Sequence, residues 1–144
     1  MSIHEVIIKG GLGNQIFGLF HAYKLSLKYR EKVSLNLANY SFNGRQDRPF
    51  LLNVIYPPLI DEFKISTNLI SKALYIYTRF FEKLFIRSNN DYLPGDNPFF
   101  IKYWNNRYIH SGYFQKINDS LLDKKCLALI KKKFNPYIKK NKIN

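Results

Sequence analysis

Ile3, Val6, Ile7 and Ile8 form a short apolar run rich in β-branched residues, and Gly10, Gly11 and Gly13 cut it off. The run predicts a buried strand, because branched side chains pack well on a pleated surface. The glycines predict a sharp turn, because they open backbone angles closed to other residues. Beyond the turn, Ile16, Phe20, Tyr23 and Leu27 recur at helical spacing, predicting a helix that ends near Tyr29 or Arg30. Lys32 to Leu37 then alternates polar with apolar and reads as a second strand. A strand, a crossover helix and a second strand make a βαβ unit, with the strands parallel and the crossover right-handed, as in the nucleotide-binding half of a doubly wound sheet.

From Asn39 to Arg48 the chain is polar, with Tyr40, Asn43, Gly44, Arg45, Asp47 and Arg48, and reads as a loop that either borders a cleft or simply connects. Pro57 and Pro58 break the chain after Leu51 to Tyr56, and a long amphipathic helix is expected from about Ser66 to Arg87. Leu69, Ala73, Ile76, Phe80 and Leu84 form one stripe of it, widened by Ile70, Tyr77 and Phe81. A stripe this wide is expected to pack on the core, while Lys72, Arg79, Lys83 and Arg87 on the remainder are compatible with lying on an anionic membrane. Residues 88–98 read as a loop, Phe99 to Tyr103 and Tyr108 to His110 as short strands around Asn105 and Asn106, and Gly112 to Gln115 as a turn. A last helix is expected from near Asp119, with Leu122, Cys126, Leu129 and Ile130 on its buried face and Pro136 at its end. The resulting picture is one α/β domain over residues 1–134 and a basic, frayed tail over 135–144.

At 144 residues the chain can bury one ordinary core, and 46% hydrophobic residues with 12 Phe and 11 Tyr argue for a packed domain rather than a disordered one. The single cysteine, Cys126, excludes an internal disulfide and a cysteine metal site, so a cytoplasmic setting is the simplest expectation. His4, Glu5 and Lys9 interrupt the first apolar run, which is neither a secretory leader nor a membrane span. The formal net charge of +13 suggests a polyanion, but eight of the lysines fall between Lys124 and Lys142, in the last helix and tail rather than in a groove. Nucleic acid is therefore not the expected partner; a non-catalytic basic module for nucleic acid or anionic lipid is the alternative reading, and peripheral contact with the inner face of a membrane is compatible with the charge.

The chemistry concentrates at the glycine turn, where unpaired N–H groups and the positive end of the helix dipole would hold a diphosphate. A dinucleotide fold wants Gly-x-Gly-x-x-Gly and an acid at the end of the second strand, but Ile16 and Asn36 stand at those places. A P-loop wants Lys followed by Ser or Thr, but Asn14 and Gln15 follow the last glycine. What remains is a neutral anion cradle: Gly11 and Gly13 for close backbone approach, with Asn14 and Gln15 as amide donors to phosphate or ribose. The plainer alternative is that Asn14 caps the helix and the glycines only turn the chain.

Gly10-Gly11-Leu12-Gly13-Asn14-Gln15-Ile16-Phe17 closely resembles the Gly-Gly-Leu-Gly-Asn-Gln-Met-Phe signature of bacterial α-1,2-fucosyltransferases, and Ser111-Gly112-Tyr113-Phe114-Gln115 resembles their Gly-Tyr-Phe/Trp-Gln segment. Arg48-Pro-Phe-Leu-Leu-Asn-Val-Ile55 is similar to their Arg-x-x-x-Leu element. The resemblance runs from about Ile3 to Phe134 and covers the family's N-terminal half. It implies a Rossmann-like lobe of a two-lobed, GT-B-like glycosyltransferase, and inverting transfer of fucose from GDP-fucose to the 2-hydroxyl of a galactoside during surface polysaccharide synthesis. It implies no metal and no cofactor beyond the donor. Gly11, Gly13, Asn14 and Gln15 would contact the donor phosphates, and Tyr113 and Gln115 would either border the acceptor cleft or brace the lobe. The family's His-x-Arg-Arg-Gly-Asp-Tyr string, whose arginine is implied to hold the diphosphate, does not occur in these residues, and none of His4, His21 and His110 precedes an arginine pair. Transfer by this chain alone is therefore not expected; the chain reads either as a fragment from an interrupted gene or as half of a split enzyme with a separately encoded C-terminal half as partner. No residue is assigned as the catalytic base; Asp47, Asp91 and Asp96 are loop acids without a stronger claim.

Overall fold

The computed structural model describes residues 2–30, 32–42, 49–55, 57–88, 99–104, 106–112, 114 and 120–141. Strand β1 (Ile3–Ile7) leads through the glycine turn into helix α1 (Leu12–Tyr29) and then strand β2 (Lys32–Asn36). The two strands pair in parallel, Val6 opposite Leu35, as the alternation of residues 32–37 predicts. α1 ends where expected, with Arg30 in the left-handed region (φ 52°) and its N–H on the Ser26 carbonyl.

Three short helices follow, α2 (Ala38–Phe42), α3 (Leu52–Ile55) and α4 (Pro57–Ile60), so the stretch from Asn39 expected to be loop begins as a helix, and α4 is begun by the prolines expected to break the chain. Proline suits a first helical position, where its missing N–H costs nothing. Strand β3 (Lys64–Ser66) pairs in parallel with β2, and helix α5 (Leu69–Ser88) comes next. Strands β4 (Phe99–Trp104) and β5 (Arg107–Ser111) form the expected antiparallel hairpin, with Asn106 at φ 53° in its turn. β5 then runs parallel to β1 in the order β3-β2-β1-β5-β4, a mixed five-stranded sheet of an α/β fold.

Alternate residues of β1 face opposite sides of the sheet. Val6 and Ile8 join Val33, Leu35, Leu19, Ala22, Tyr23, Leu52, Phe63 and Cys126 in the larger core beneath α1. Ile7 joins Ile109 and Tyr75 in a smaller core beneath α5. The ring of Tyr23 meets Phe63 edge-on at 4.7 Å, which anchors the stretch after α4 to α1.

Three expectations are corrected. The α1 stripe holds only in part: Tyr23 is buried and Phe20 packs against the core, but Ile16 and Leu27 are exposed, and Gln15, Gly18, Leu19, Ala22, Lys24 and Leu25 complete the buried face. A Cβ on Gly18 would stand 2.8 Å from Ile8 Cδ1, so small residues bring this helix against the sheet and choose its face. α5 is reversed: Ser71, Tyr75 and Thr78 are buried, and the apolar stripe from Leu69 (82% exposed) through Ile70 and Ile76 to Phe80 (59%) points outward. Helix α6 (Ser120–Asn141) does not stop at Pro136 but runs through it, so the 135–144 tail is helical as far as Asn141. There the ring forfeits one backbone hydrogen bond, at an exposed position.

Cys126 is fully buried on α6, as expected, with Leu129 and Ile130 packed at the core's edge. Among the described residues no helix is long and apolar enough to cross a membrane.

Candidate functional site

β1 ends at the junction that the glycines mark. Ile8 N–H still donates to Asn36 O at 3.0 Å, so the sheet holds the chain up to Lys9. Gly10 then turns it at φ 79°, a conformation that a side chain resists. A Cβ there would also lie 2.7 Å from Asn14 Nδ2, so the Asn14 amide is folded back over Gly10. Gly11 is the N-cap residue of α1, and no side chain caps the helix, so Asn14 is not the cap. The first intrahelical bond is Gln15 N–H to Gly11 O at 3.0 Å. The N–H groups of Leu12 and Gly13 precede it, at the positive end of the helix dipole, and the first turn carries no acid. A Cβ built on Gly11 or on Gly13 meets no atom within 4 Å. Neither glycine is required by packing there, and the space before both is open.

Gln15 does something other than what the sequence suggests. It is fully buried; Nε2 donates to Gly10 O (3.2 Å) and Pro49 O (2.8 Å), and Oε1 accepts Leu51 N–H (3.0 Å). Tyr40 OH donates to the same Gly10 carbonyl at 2.9 Å. Gln15 therefore braces the turn against residues 49–51, and its amide does not face outward. The segment it grips lies within the Arg48–Ile55 stretch singled out above.

The second stretch of interest arrives beside the first through the sheet. β5 is the parallel neighbour of β1, Val6 opposite His110, so Lys9-Gly10-Gly11 and Ser111-Gly112 leave the same end of adjacent strands. That end lies between β1 and β5, where the strand order reverses, the crevice in which open α/β sheets bind ligands. Lys9 Nζ donates to Ser111 Oγ at 3.3 Å, and both residues are buried. This bond links the two segments where they leave the sheet, a contact that the motif spacing did not disclose. Beyond Ser111 the backbone is unusual: Gly112 has φ 151° and Phe114 φ 55°, the latter a costly conformation for a bulky residue. The Phe114 ring is buried and stacked on His21, centroids 4.1 Å apart and 9° from parallel, and this packing holds the turn in place. Tyr113 and Gln115 lie outside the described residues, as do Asp47, Asp91 and Asp96.

A feature that sequence reading missed lies under α1. His4 Nδ1 is 3.0 Å from His110 Nε2, and His110 Nδ1 is 3.2 Å from His21 Nε2, so all three histidines of the chain form one hydrogen-bonded series. His4 is stacked between Tyr29 and Tyr108. A neutral imidazole has one donor and one acceptor nitrogen, so the series closes with every ring neutral. Burial, then the neighbouring Lys24 and His4, lowers the pKa of His21 to about 4; burial, then His21 and His4, lowers that of His110 to about 3. Because His110 turns opposite nitrogens to its two neighbours, the three rings do not converge on one point. Among the described residues no cluster of His, Cys, Asp or Glu could hold a metal. The positions 4, 21 and 110 carry no periodic signal; only the register of β1 and β5 against α1 brings them together.

Asn36, where a dinucleotide fold would place an acid, is buried and fully engaged. Its Nδ2 donates to Glu5 Oε1 (2.7 Å) and Ser71 O (2.9 Å), and its Oδ1 accepts Ala38 N–H (2.9 Å). It tethers α5 to the sheet and does not face the crevice at the glycine turn. No protein-family model, curated protein or solved structure matches the chain.

Proposed function

We propose that this chain is the N-terminal, Rossmann-like lobe of a GT-B-like glycosyltransferase of the α-1,2-fucosyltransferase kind, and that its crevice receives the diphosphate of GDP-fucose for transfer to a galactoside. One observation carries the reading. The two segments that resemble the family signature lie about a hundred residues apart in sequence, yet leave the same end of adjacent parallel strands at the point where the strand order reverses. A fold alone does not give a function, but a motif repeated in geometry narrows it.

In this reading the open faces of Gly11 and Gly13 admit phosphate oxygens to the N–H groups of Leu12 and Gly13. The Asn14 amide flanks them. Gln15 and Tyr40 act at one remove, holding the Gly10 carbonyl so that the turn keeps its shape. As the donor breaks, negative charge grows on the leaving diphosphate, and fixed donors of this kind stabilise it most where charge develops. The proposal for this chain is donor binding. Transfer needs in addition the arginine pair of the resembling family, a string that does not occur in these 144 residues.

The test is thermal unfolding with GDP, GDP-fucose and NAD. At a hundredfold excess over Kd a ligand adds about 2.7 kcal/mol, a rise of several degrees for a chain this size. GDP and GDP-fucose are expected to raise the midpoint and NAD to leave it unchanged. Gly11→Ala and Gly13→Ala, which meet nothing in the folded protein, are expected to fold normally and lose the response. A wild-type chain indifferent to GDP, or alanine variants that keep the full response, would overturn the assignment.

A further inference from the structure

Among the described residues, α5 carries more exposed large apolar side chains than any other element. Around the helix, Ser71, Tyr75 and Thr78 occupy one side and Leu69, Ile70, Ala73, Ile76, Tyr77 and Phe80 the other, so the apolar residues face away from the sheet. Hydrophobicity alone would turn such a helix over. Specific polar bonds prevent it. Ser71 O accepts from Asn36 Nδ2, and Tyr75 OH donates to Asn39 Oδ1 at 2.6 Å. The sequence thus spends buried hydrogen bonds on holding an apolar face toward solvent, which is the arrangement of a surface made to be covered.

Charge identifies what covers it. On one flank of the stripe Lys72 and Arg79 project from the helix itself. On the other, a groove of about 840 Å³ runs between Ile70, Ala73, Leu74 and Tyr77 and the β4–β5 hairpin, where Lys102 and Arg107 are exposed at its rim. Apolar residues bordered on both sides by cations match an interface in which acyl chains lie beneath anionic headgroups. A second copy would bring the same cations against these and is opposed by the charge of +13 on each chain.

We infer that the outer face of α5, with the adjoining groove, binds the surface of an anionic phospholipid bilayer and seats the domain there without crossing it. The inference stands apart from the nucleotide reading, because the glycine turn is not part of this face.

Sedimentation of the full chain with phosphatidylcholine vesicles, with and without phosphatidylglycerol, tests it. Binding is expected only with phosphatidylglycerol, to fall at least about tenfold as salt is raised, and to fall at least about tenfold in Ile76→Glu with Phe80→Glu. These positions are exposed, so the unfolding midpoint should match wild type; should that pair not fold, Leu69→Ser with Phe80→Ser removes the same apolar contact without adding charge. Equal binding to both vesicle types, or binding indifferent to these substitutions, overturns the inference. So does a lipid-free dimer that the same substitutions dissociate, because the face would then be an interface between copies. Recovery of vesicle binding only after a partner polypeptide has been dissociated from this face would also overturn it, and would assign the face to the partner.

Discussion

Acidification should unfold this domain earlier than its carboxylates alone would, and the histidine series under α1 fixes the sign and the size. Unfolded, a histidine titrates near 6.5; folded, His21 titrates at about 4 and His110 at about 3. Above pH 6.5 both are neutral in both states and contribute nothing to the pH dependence. As pH falls below 6.5 the unfolded chain takes up protons that the folded chain refuses, so stability falls, and the loss levels off only below the folded values. Each group costs about 1.4 kcal/mol per pH unit in that window. Between pH 6.5 and 5 the two together remove about 2–4 kcal/mol, the lower figure applying if the hydrogen-bonded rings share a proton, from a total stability of the order of 5–15 kcal/mol. Urea unfolding followed by circular dichroism at steps of pH measures the effect as a falling midpoint at constant m. His110→Gln, which keeps one donor and one acceptor but does not titrate, should remove about half of the slope. A midpoint that is flat or rises from pH 6.5 to 5, or a slope that the glutamine leaves unchanged, would refute the account.

The brace and the turn give three further expectations. Gln15→Leu strands Leu51 N–H and leaves the Pro49 carbonyl without this partner, and should lower stability by about 2–4 kcal/mol in denaturant titration; a loss under half a kilocalorie would mean that residues 49–51 are held by something else. Gly10→Ala puts a side chain at φ 79° and against Asn14, and should cost about 1–2 kcal/mol, whereas Gly13→Ala at an open helical position should be neutral or stabilise by about 0.5–1 kcal/mol; equal effects would contradict the geometry of the turn. Tyr75→Phe deletes one of the bonds that hold α5 apolar side outward and should cost about 1 kcal/mol, measured the same way, with an unchanged midpoint counting against that tether.

How much of this was legible in the sequence depended on which force shaped each element. The β1-α1-β2 unit was readable because a branched apolar run, a glycine cluster and an alternating strand each leave a local pattern. The buried face of α1 was readable only at Phe20 and Tyr23, because close approach helped to choose it: Gly18 lets the helix settle against Ile8, whereas helical spacing of large apolar residues adds the exposed Ile16 and Leu27. α5 was located correctly and turned the wrong way, since the amides of Asn36 and Asn39, thirty or more residues upstream, bind its polar side. β3 has three residues and is defined by its register on β2, Leu35 opposite Ile65, which no local pattern encodes. Pro136 was read as a stop, yet an exposed proline costs one hydrogen bond and α6 continues past it.

The glycine turn divides in the same way, and the division says what kind of site it is. In a dinucleotide fold three glycines serve the turn, the approach to phosphate and the packing of helix on strand. Here Gly10 serves the turn, Gly11 and Gly13 leave the approach open, and Gly18, two residues beyond the place that pattern reserves, serves the packing. The same physical needs are met at a different spacing, so failure of the Gly-x-Gly-x-x-Gly pattern excludes that motif but not a phosphate. The ribose acid is missing for a structural reason as well: its place is taken by Asn36, whose amide is committed to Glu5 and α5. On the reading proposed above, a nucleotide would be held through its diphosphate by the backbone N–H groups of the turn, and not through a carboxylate on its sugar at the end of β2.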